Sequence, residues 1–200
     1  METRPLANTF AEPTAANVDN MLPEFEFPGN KRNSCRWVTD TYCGLRLREK
    51  DLRKRLDFQS IYMLKGGKVG LTINDIPNPN GLALSPDEKY LYANGSHDKY
   101  VRRYRVLPDY TVTNSQMFID ISGDPTPEVT DGLKVAFKGN VWESAAGGVW
   151  IISPEGKHLG TILRPELVAN VEFRDPDHKT LYIAARTSVY KIRVNTAGIP

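Results

Sequence analysis

The sequence predicts an all-β fold assembled from repeated four-stranded units, and three observations carry that expectation. A phrase recurs three times: Asn80-Gly81-Leu82-Ala83-Leu84 leading to Leu91-Tyr92, Asp131-Gly132-Leu133-Lys134-Val135 leading to Val141-Trp142, and Asn170-Val171-Glu172-Phe173 leading to Leu181-Tyr182. Each copy opens on an Asn or Asp, alternates apolar and small residues, turns at a polar tip and returns on β-branched and aromatic residues, which is the pattern of a hairpin. The tips are Ser85-Pro86-Asp87-Glu88, Phe137-Lys138-Gly139-Asn140 and Asp175-Pro176-Asp177-His178. The copies recur at roughly the 40 to 50 residue period of propeller blades, which favours a radial or stacked architecture over one sandwich. The oxygen that opens every copy makes those positions the first candidates for a site.

The elements follow in order. Residues 1–36 are broken by Pro5, Pro13, Pro23 and Pro28 and are expected to be poorly ordered. From residue 37 to 200 the chain reads as a partial propeller. Trp37-Val38-Thr39, Phe58 to Leu64 and Lys68 to Ile73 are strand-like, the last two flanking a Gly66-Gly67 turn, and they form the outer strands of an incomplete blade. The charged run Arg46 to Arg55 is a short helix or a solvated loop. A full blade is expected in Gly81 to Leu84, Tyr90 to Asn94, Tyr100 to Val106 and Gln116 to Ile121, and a second in Gly132 to Val135, Asn140 to Ser144, Gly148 to Ser153 and His158 to Thr161. A third has Val171 to Phe173, Thr180 to Ala184 and Ser188 to Val194, with no obvious fourth strand, which leaves an open blade. Two complete blades and two partial ones fall short of a ring of roughly four to eight. Open edges with unpaired backbone groups predict self-association.

Composition narrows the function classes. A hydrophobic content of 40% supports one core, and 26 Lys and Arg against 24 Asp and Glu leave a net charge of +2, far from the basic face of a nucleic-acid binder. Two cysteines, Cys35 and Cys43, make neither a zinc pair nor a disulfide framework. The absence of a signal-like leader or a long apolar run predicts a cytoplasmic protein without a membrane partner.

Several phrases together resemble the SMP-30/gluconolactonase/LRE-like family. They are Leu56-Asp57-Phe58-Gln59-Ser60-Ile61-Tyr62, Pro79-Asn80-Gly81-Leu82-Ala83-Leu84-Ser85-Pro86-Asp87-Glu88, Asp131-Gly132-Leu133-Lys134-Val135, the run from Gly147 to Ile162, and Lys179-Thr180-Leu181-Tyr182-Ile183. The resemblance implies a six-bladed β-propeller of the lactonase type, here incomplete, that hydrolyses sugar lactones or similar esters with a divalent metal in the central channel. By the same resemblance the metal is held by Asn80, by Asp131 and by an acidic residue of a first blade. That acidic residue has no counterpart that can be placed, and Glu12, in Ala11-Glu12-Pro13, is not given the role. Thr130 and Ala136 stand where the family often has Pro and Asp.

The chemistry implied is metal-assisted hydrolysis, with Asp131 as ligand and catalytic base and a small lactone as substrate. Oxygen ligands suit Ca²⁺ first, with Zn²⁺, Mn²⁺ and Mg²⁺ compatible. The alternative for Asn80 and Asp131 is a turn role, bonding their own backbone; Asn170, followed by Val, divides between a channel wall and a structural cap. His97, His158 and His178 sit at or beside turns without a second His at metal spacing. Ser96, in Gly95-Ser96-His97, is no nucleophile elbow. Asn94-Gly95-Ser96 is formally a glycosylation acceptor, and Trp142, Trp150 and Tyr182 read as blade core. The competing function is a non-catalytic, propeller-derived binding or assembly module.

Overall fold

The computed structural model describes residues 2–5, 36–37, 42–45, 60–65 and 68–199. Among them the chain is all-β, in four antiparallel sheets of four strands each. Blade I contains β2 (Arg36–Trp37), β3 (Tyr42–Leu45), β4 (Ser60–Lys65) and β5 (Lys68–Ile73). Blade II contains β6 (Pro79–Leu84), β7 (Tyr90–Gly95), β8 (Tyr100–Val106) and β9 (Val112–Asp120). Blade III contains β10 (Leu133–Val135), β11 (Val141–Ala145), β12 (Gly148–Ile152) and β13 (His158–Leu163). Blade IV contains β14 (Val168–Arg174), β15 (Thr180–Ala185) and β16 (Ser188–Arg193), and its outermost strand is β1 (Glu2–Pro5).

That last strand corrects the expectation of an open blade. Glu2 to Pro5 pair with Lys191 to Ser188, so the N-terminal end of the chain completes blade IV. The segment Glu-Thr-Arg-Pro has no apolar alternation, so no strand signal shows in the sequence; the unpaired backbone groups of β16 place it, and a terminal Pro is tolerated on an edge. Residues 6–35, where little order is expected, lie outside the described residues, as do Val38-Thr39-Asp40, the charged run 46–55 and Cys35.

The hairpin tips repeat one turn. Glu88, Gly139 and His178 each donate their backbone N–H to the carbonyl three residues back, on Ser85, Ala136 and Asp175, and each has a positive φ of 55°, 86° and 53°. In blade III the turn is therefore Ala136 to Gly139, one residue earlier than the polar run suggests. Glycine takes the left-handed position there without the cost of roughly 1–2 kcal/mol that Glu88 and His178 incur.

Burial explains why blades stack. The strand β7 is buried at every residue from Leu91 to Gly95, and β11 from Val141 to Ala145, because a blade lies against each face. Three apolar clusters follow the order of the blades: Ile61, Ile73, Leu82 and Leu91 between I and II; Tyr92, Val101, Phe118, Leu133, Val141 and Ile152 between II and III; Trp142, Val171, Phe173, Leu181 and Ile183 between III and IV. Edge-to-face rings reinforce two of them, Tyr92 on Phe118 at 4.8 Å and Trp142 on Phe173 at 5.3 Å. The first strands β6, β10 and β14 consequently run beside one another.

Blade IV is also tied to the segment that precedes it. Tyr190 donates its hydroxyl to Glu166 Oε1 at 2.6 Å, and Thr187 donates its hydroxyl and backbone N–H to Oε2 at 2.7 and 3.0 Å. These donors, Tyr190 first, hold the Glu166 carboxyl down at about 2. A depressed carboxylate stabilises the fold fully above the ordinary value of about 4.3 and loses that contribution as pH falls toward the folded value. Thermal unfolding followed from pH 7 to pH 2 should therefore show a falling midpoint between about pH 4.5 and 2, and Glu166→Gln should lower the midpoint at pH 7 and flatten that limb. An unchanged limb in the variant would assign the acid sensitivity to other carboxylates.

Candidate metal centre

Asn80 is the second residue of β6, and Asp131 stands two residues before β10. The β6–β7 register shifts between Pro79 and Leu82, and the β14–β15 register between Val168 and Asn170, so two of the three repeated oxygens sit at irregularities of the ladder. Such breaks re-aim a side chain out of the pleat. The result across blades II and III is direct contact: Asn80 Nδ2 donates to Asp131 Oδ1 at 2.7 Å, with both residues half-buried. Fifty-one residues of sequence separate the two. A turn role for both, each bonding its own backbone, is not what this hydrogen bond shows.

Asn170 behaves differently. Its Oδ1 accepts the N–H of Val171 at 2.9 Å, a local cap, and its side chain packs against Gly132. Of the two readings left open by the sequence, this bond is the cap. Below it Lys134 Nζ and Glu172 Oε2 pair at 3.1 Å between β10 and β14, so the one carboxylate of β14 is engaged by a lysine. Among the described residues no group of three or more His, Cys, Asp or Glu stands together as a metal cage.

Three residues that the sequence marked for other reasons, Asn94, Ser96 and Thr130, and one it did not mark, Glu143, hold the pair in place. Asn94, fully buried at the end of β7, accepts the Gly81 N–H at 2.8 Å through Oδ1. Through Nδ2 it donates to the Asp131 carbonyl at 2.6 Å and to Glu143 Oε1 at 2.8 Å. Thr130, also fully buried, donates its backbone N–H to Ser96 O at 3.2 Å and its hydroxyl to Gly95 O at 3.1 Å, while Ser96 Oγ donates to Thr130 O at 2.8 Å. A Pro at residue 130 has no N–H for the first of these bonds. The signal available in the sequence was a polar residue inside an otherwise apolar strand, Asn94 after Leu-Tyr-Ala and Glu143 after Val-Trp.

The glycines after the first two oxygens are required by the same contact. A Cβ on Gly81 would lie 2.5 Å from the Asp131 carbonyl oxygen and 2.7 Å from Asn94 Nδ2. One on Gly132 would lie 2.7 Å from Asn170 Cγ and 2.9 Å from its Cα. In both places the next blade's opening segment occupies the side-chain position.

The remaining candidates are placed away from this chemistry. His158 stacks on Trp150 with ring centres 3.9 Å apart and bonds Thr161 at 2.9 Å on the outer strand pair. His97 is exposed in the turn between β7 and β8, and His178 belongs to the β14–β15 tip. Ser96 is buried and engaged with Thr130, so it is a structural hydroxyl. Trp142 is core, as expected, and Trp150 is half-buried with its indole N–H on Ala146 O at 2.9 Å. Tyr182 donates to Asp175 at 3.2 Å.

Repeated four-stranded blades, with oxygen-bearing residues opening their first strands and two of those side chains hydrogen-bonded across a blade boundary, define an incomplete β-propeller of the lactonase type. The chain belongs to the SMP-30/Gluconolactonase/LRE-like family, whose model matches residues 32–187. It is 31% identical over 183 residues to a gluconolactonase of Zymomonas mobilis, an alignment covering 81% of this chain and 48% of that relative, so the chain spans about half the length of the curated protein it matches. A solved structure described as a putative gluconolactonase superposes with a TM-score of 0.72 at 26% identity, covering 87% of this chain and 63% of the other. A calcium-binding regucalcin of Agrobacterium tumefaciens shares the fold, with a TM-score of 0.68 at 20% identity over 80% of this chain and 60% of that one.

One substitution tests the close approach. Gly81→Ala must displace the Asp131 backbone or the Asn94 amide, and overpacking of this kind costs about 1–3 kcal/mol. Urea unfolding should show that loss, whereas Gly123→Ala, with open space around its Cβ position, should leave the midpoint nearly unchanged. Equal midpoints for the two variants would mean that the blade boundary yields.

Proposed function

We propose that the chain carries part of a lactone-opening site of the gluconolactonase kind, with Asn80 and Asp131 as oxygen ligands of a divalent cation and Asp131 as general base. The observation that carries this reading is the 2.7 Å contact between Asn80 and Asp131, which joins two repeat units at one point. The donor set fits a hard cation as far as it goes: one carboxylate and one amide oxygen suit Ca²⁺ first, and Mg²⁺, Mn²⁺ or Zn²⁺ as well. It is also small, because Ca²⁺ takes about six to eight oxygens. Further oxygens come from water, substrate or groups beyond the described residues, and binding by this pair alone is weak.

When bound, the cation polarises the lactone carbonyl and lowers the pKa of a water. The chain's own residues do the rest. Asn80 donates to one oxygen of Asp131 and so fixes the carboxylate's rotation, while its amide oxygen remains the atom of the right type for a hard cation. Asp131 takes a proton from the attacking water and returns it to the ring oxygen as the acyl C–O bond breaks. No nucleophilic Ser or Cys is required. The small donor set favours one second reading, a non-catalytic binding or assembly module.

Hydrolysis of glucono-δ-lactone, corrected for its spontaneous opening, separates these readings. The expected result is a slow rate that needs Ca²⁺, Mn²⁺ or Zn²⁺, disappears with chelator, falls at least about 100-fold in Asp131→Ala and survives in His97→Ala. A rate indifferent to chelator or to Asp131→Ala would overturn the proposed site, and no rate above background with any cation would favour the module.

A further inference from the structure

We propose that Asn94 is a positioning residue that sets the distance between Asn80 and Asp131, and that the clasp Asn94-Gly95-Ser96 with Thr130 registers blade III on blade II for that purpose. The inference rests on the reading of Asn80 and Asp131 as the working pair. Asn94 acts on the backbone beside each of them. Its Oδ1 holds the N–H of Gly81, the residue after Asn80, and its Nδ2 holds the carbonyl of Asp131 itself. One planar amide thus spans the two segments, and its orientation is fixed because Gly81 offers only a donor and Asp131 only an acceptor there. Glu143 Oε1 accepts the second amide proton at 2.8 Å and holds the plane of the amide.

Thr130 adds a second tether one residue earlier. Its backbone and hydroxyl bonds to Ser96 and Gly95, and the return bond from Ser96 Oγ, prevent the segment entering Asp131 from sliding along β7. Asn94, Ser96, Thr130 and Glu143 are buried, so no water replaces a partner lost among them without rearrangement. The absence of a Cβ on Gly81 is part of the same device, because the amide of Asn94 occupies that space. Ser144 performs the corresponding backbone task in blade III, where its hydroxyl donates to Gly132 O at 2.9 Å. The same hydroxyl lies 3.5 Å from the Ala169 carbonyl of blade IV, a longer version of the span that Asn94 makes in blade II.

The chemistry of the amide makes a sharp test. Asn94→Asp is nearly isosteric but sets an acceptor against two acceptors, the Asp131 carbonyl and the Glu143 carboxylate, so it should disrupt the pair at least as much as Asn94→Ala. Thr130→Val keeps volume and burial, removes the hydroxyl bonds and serves if the Asn94 variants do not fold. Ser85→Ala, which loses buried turn bonds to Asp87 and Tyr90 away from the pair, is the stability control. Two readouts are taken on the full chain: the Asn80 side-chain amide signals by NMR without metal, and Mn²⁺ binding by water-proton relaxation. The expected result is that Asn80 Nδ2 protons, shifted and protected in the unaltered chain, move to solvent-like positions in the Asn94 variants, partly so in Thr130→Val, and not in Ser85→Ala. Mn²⁺ affinity should fall about 10-fold or more in the Asn94 variants and stay within about 2-fold in Ser85→Ala. Unchanged Asn80 signals in the folded Asn94 or Thr130 variants, or equal losses in Ser85→Ala, would overturn the proposal. If the unaltered chain binds no Mn²⁺, the metal reading fails, and the Asn80 signals still decide the positioning role.

Discussion

One close approach governs the candidate site: the backbone of Asp131 lies where residue 81 would carry a side chain, and the amide of Asn94 fills the remaining gap. The Asp131 carbonyl oxygen, the Asn94 amide nitrogen and Leu133 Cδ2 meet at 2.5, 2.7 and 2.9 Å from that empty Cβ position. A side chain at residue 81 would push the two first strands apart, and without the amide the buried Gly81 N–H and the half-buried Asp131 carbonyl lose the bonds Asn94 makes to them. An unmade bond of that kind costs roughly 1–3 kcal/mol. The 2.7 Å contact between Asn80 and Asp131 is therefore a consequence of blade packing, and the side chains that form it depend on groups a blade away.

The three repeats solve one local problem in three ways. The N–H that follows the opening oxygen is satisfied by a side chain from the neighbouring strand in blade II, where Asn94 accepts from Gly81. In blade III the Ala169 carbonyl of the next blade accepts from Gly132 at 3.0 Å. In blade IV Asn170 accepts from Val171 with its own Oδ1, and Val171 turns into the core shared with blade III. An oxygen used to cap its own chain is committed, whereas Asn80 turns its amide nitrogen to the Asp131 carboxylate and leaves its own oxygen out of that bond. Repetition of sequence thus does not mean repetition of role.

Much of this was legible in the chain. The blades from Pro79 onward were readable because strand and turn residues alternate on a fixed schedule, and Asn80 and Asp131 stood out because each opens a copy of the repeated phrase, while the ligand role came from the family resemblance and the following glycine pointed equally to a turn. What was not legible depends on neighbours remote in sequence. Glu2–Pro5 becomes a strand only because β16 has an open edge. Asn94 looked like a glycosylation acceptor, and Ser96 like a failed nucleophile elbow, because their partners across the blade boundary lie 34 to 49 residues away and carry no mark of the pairing. Strands buried on both faces also erase the period-2 alternation that normally tells core from surface. In such strands a polar residue is the informative one, and Asn94 and Glu143 are both of that kind.

The central claim is that Asn80 and Asp131 act as one unit across the boundary of blades II and III. A double-mutant cycle on unfolding free energy, with Asn80→Ala, Asp131→Ala and the double variant, measures that coupling directly. A charge-assisted hydrogen bond between half-buried partners predicts a coupling energy of about 1 kcal/mol or more. Additive losses, with coupling below about 0.3 kcal/mol, would mean that the two side chains are neighbours without being partners.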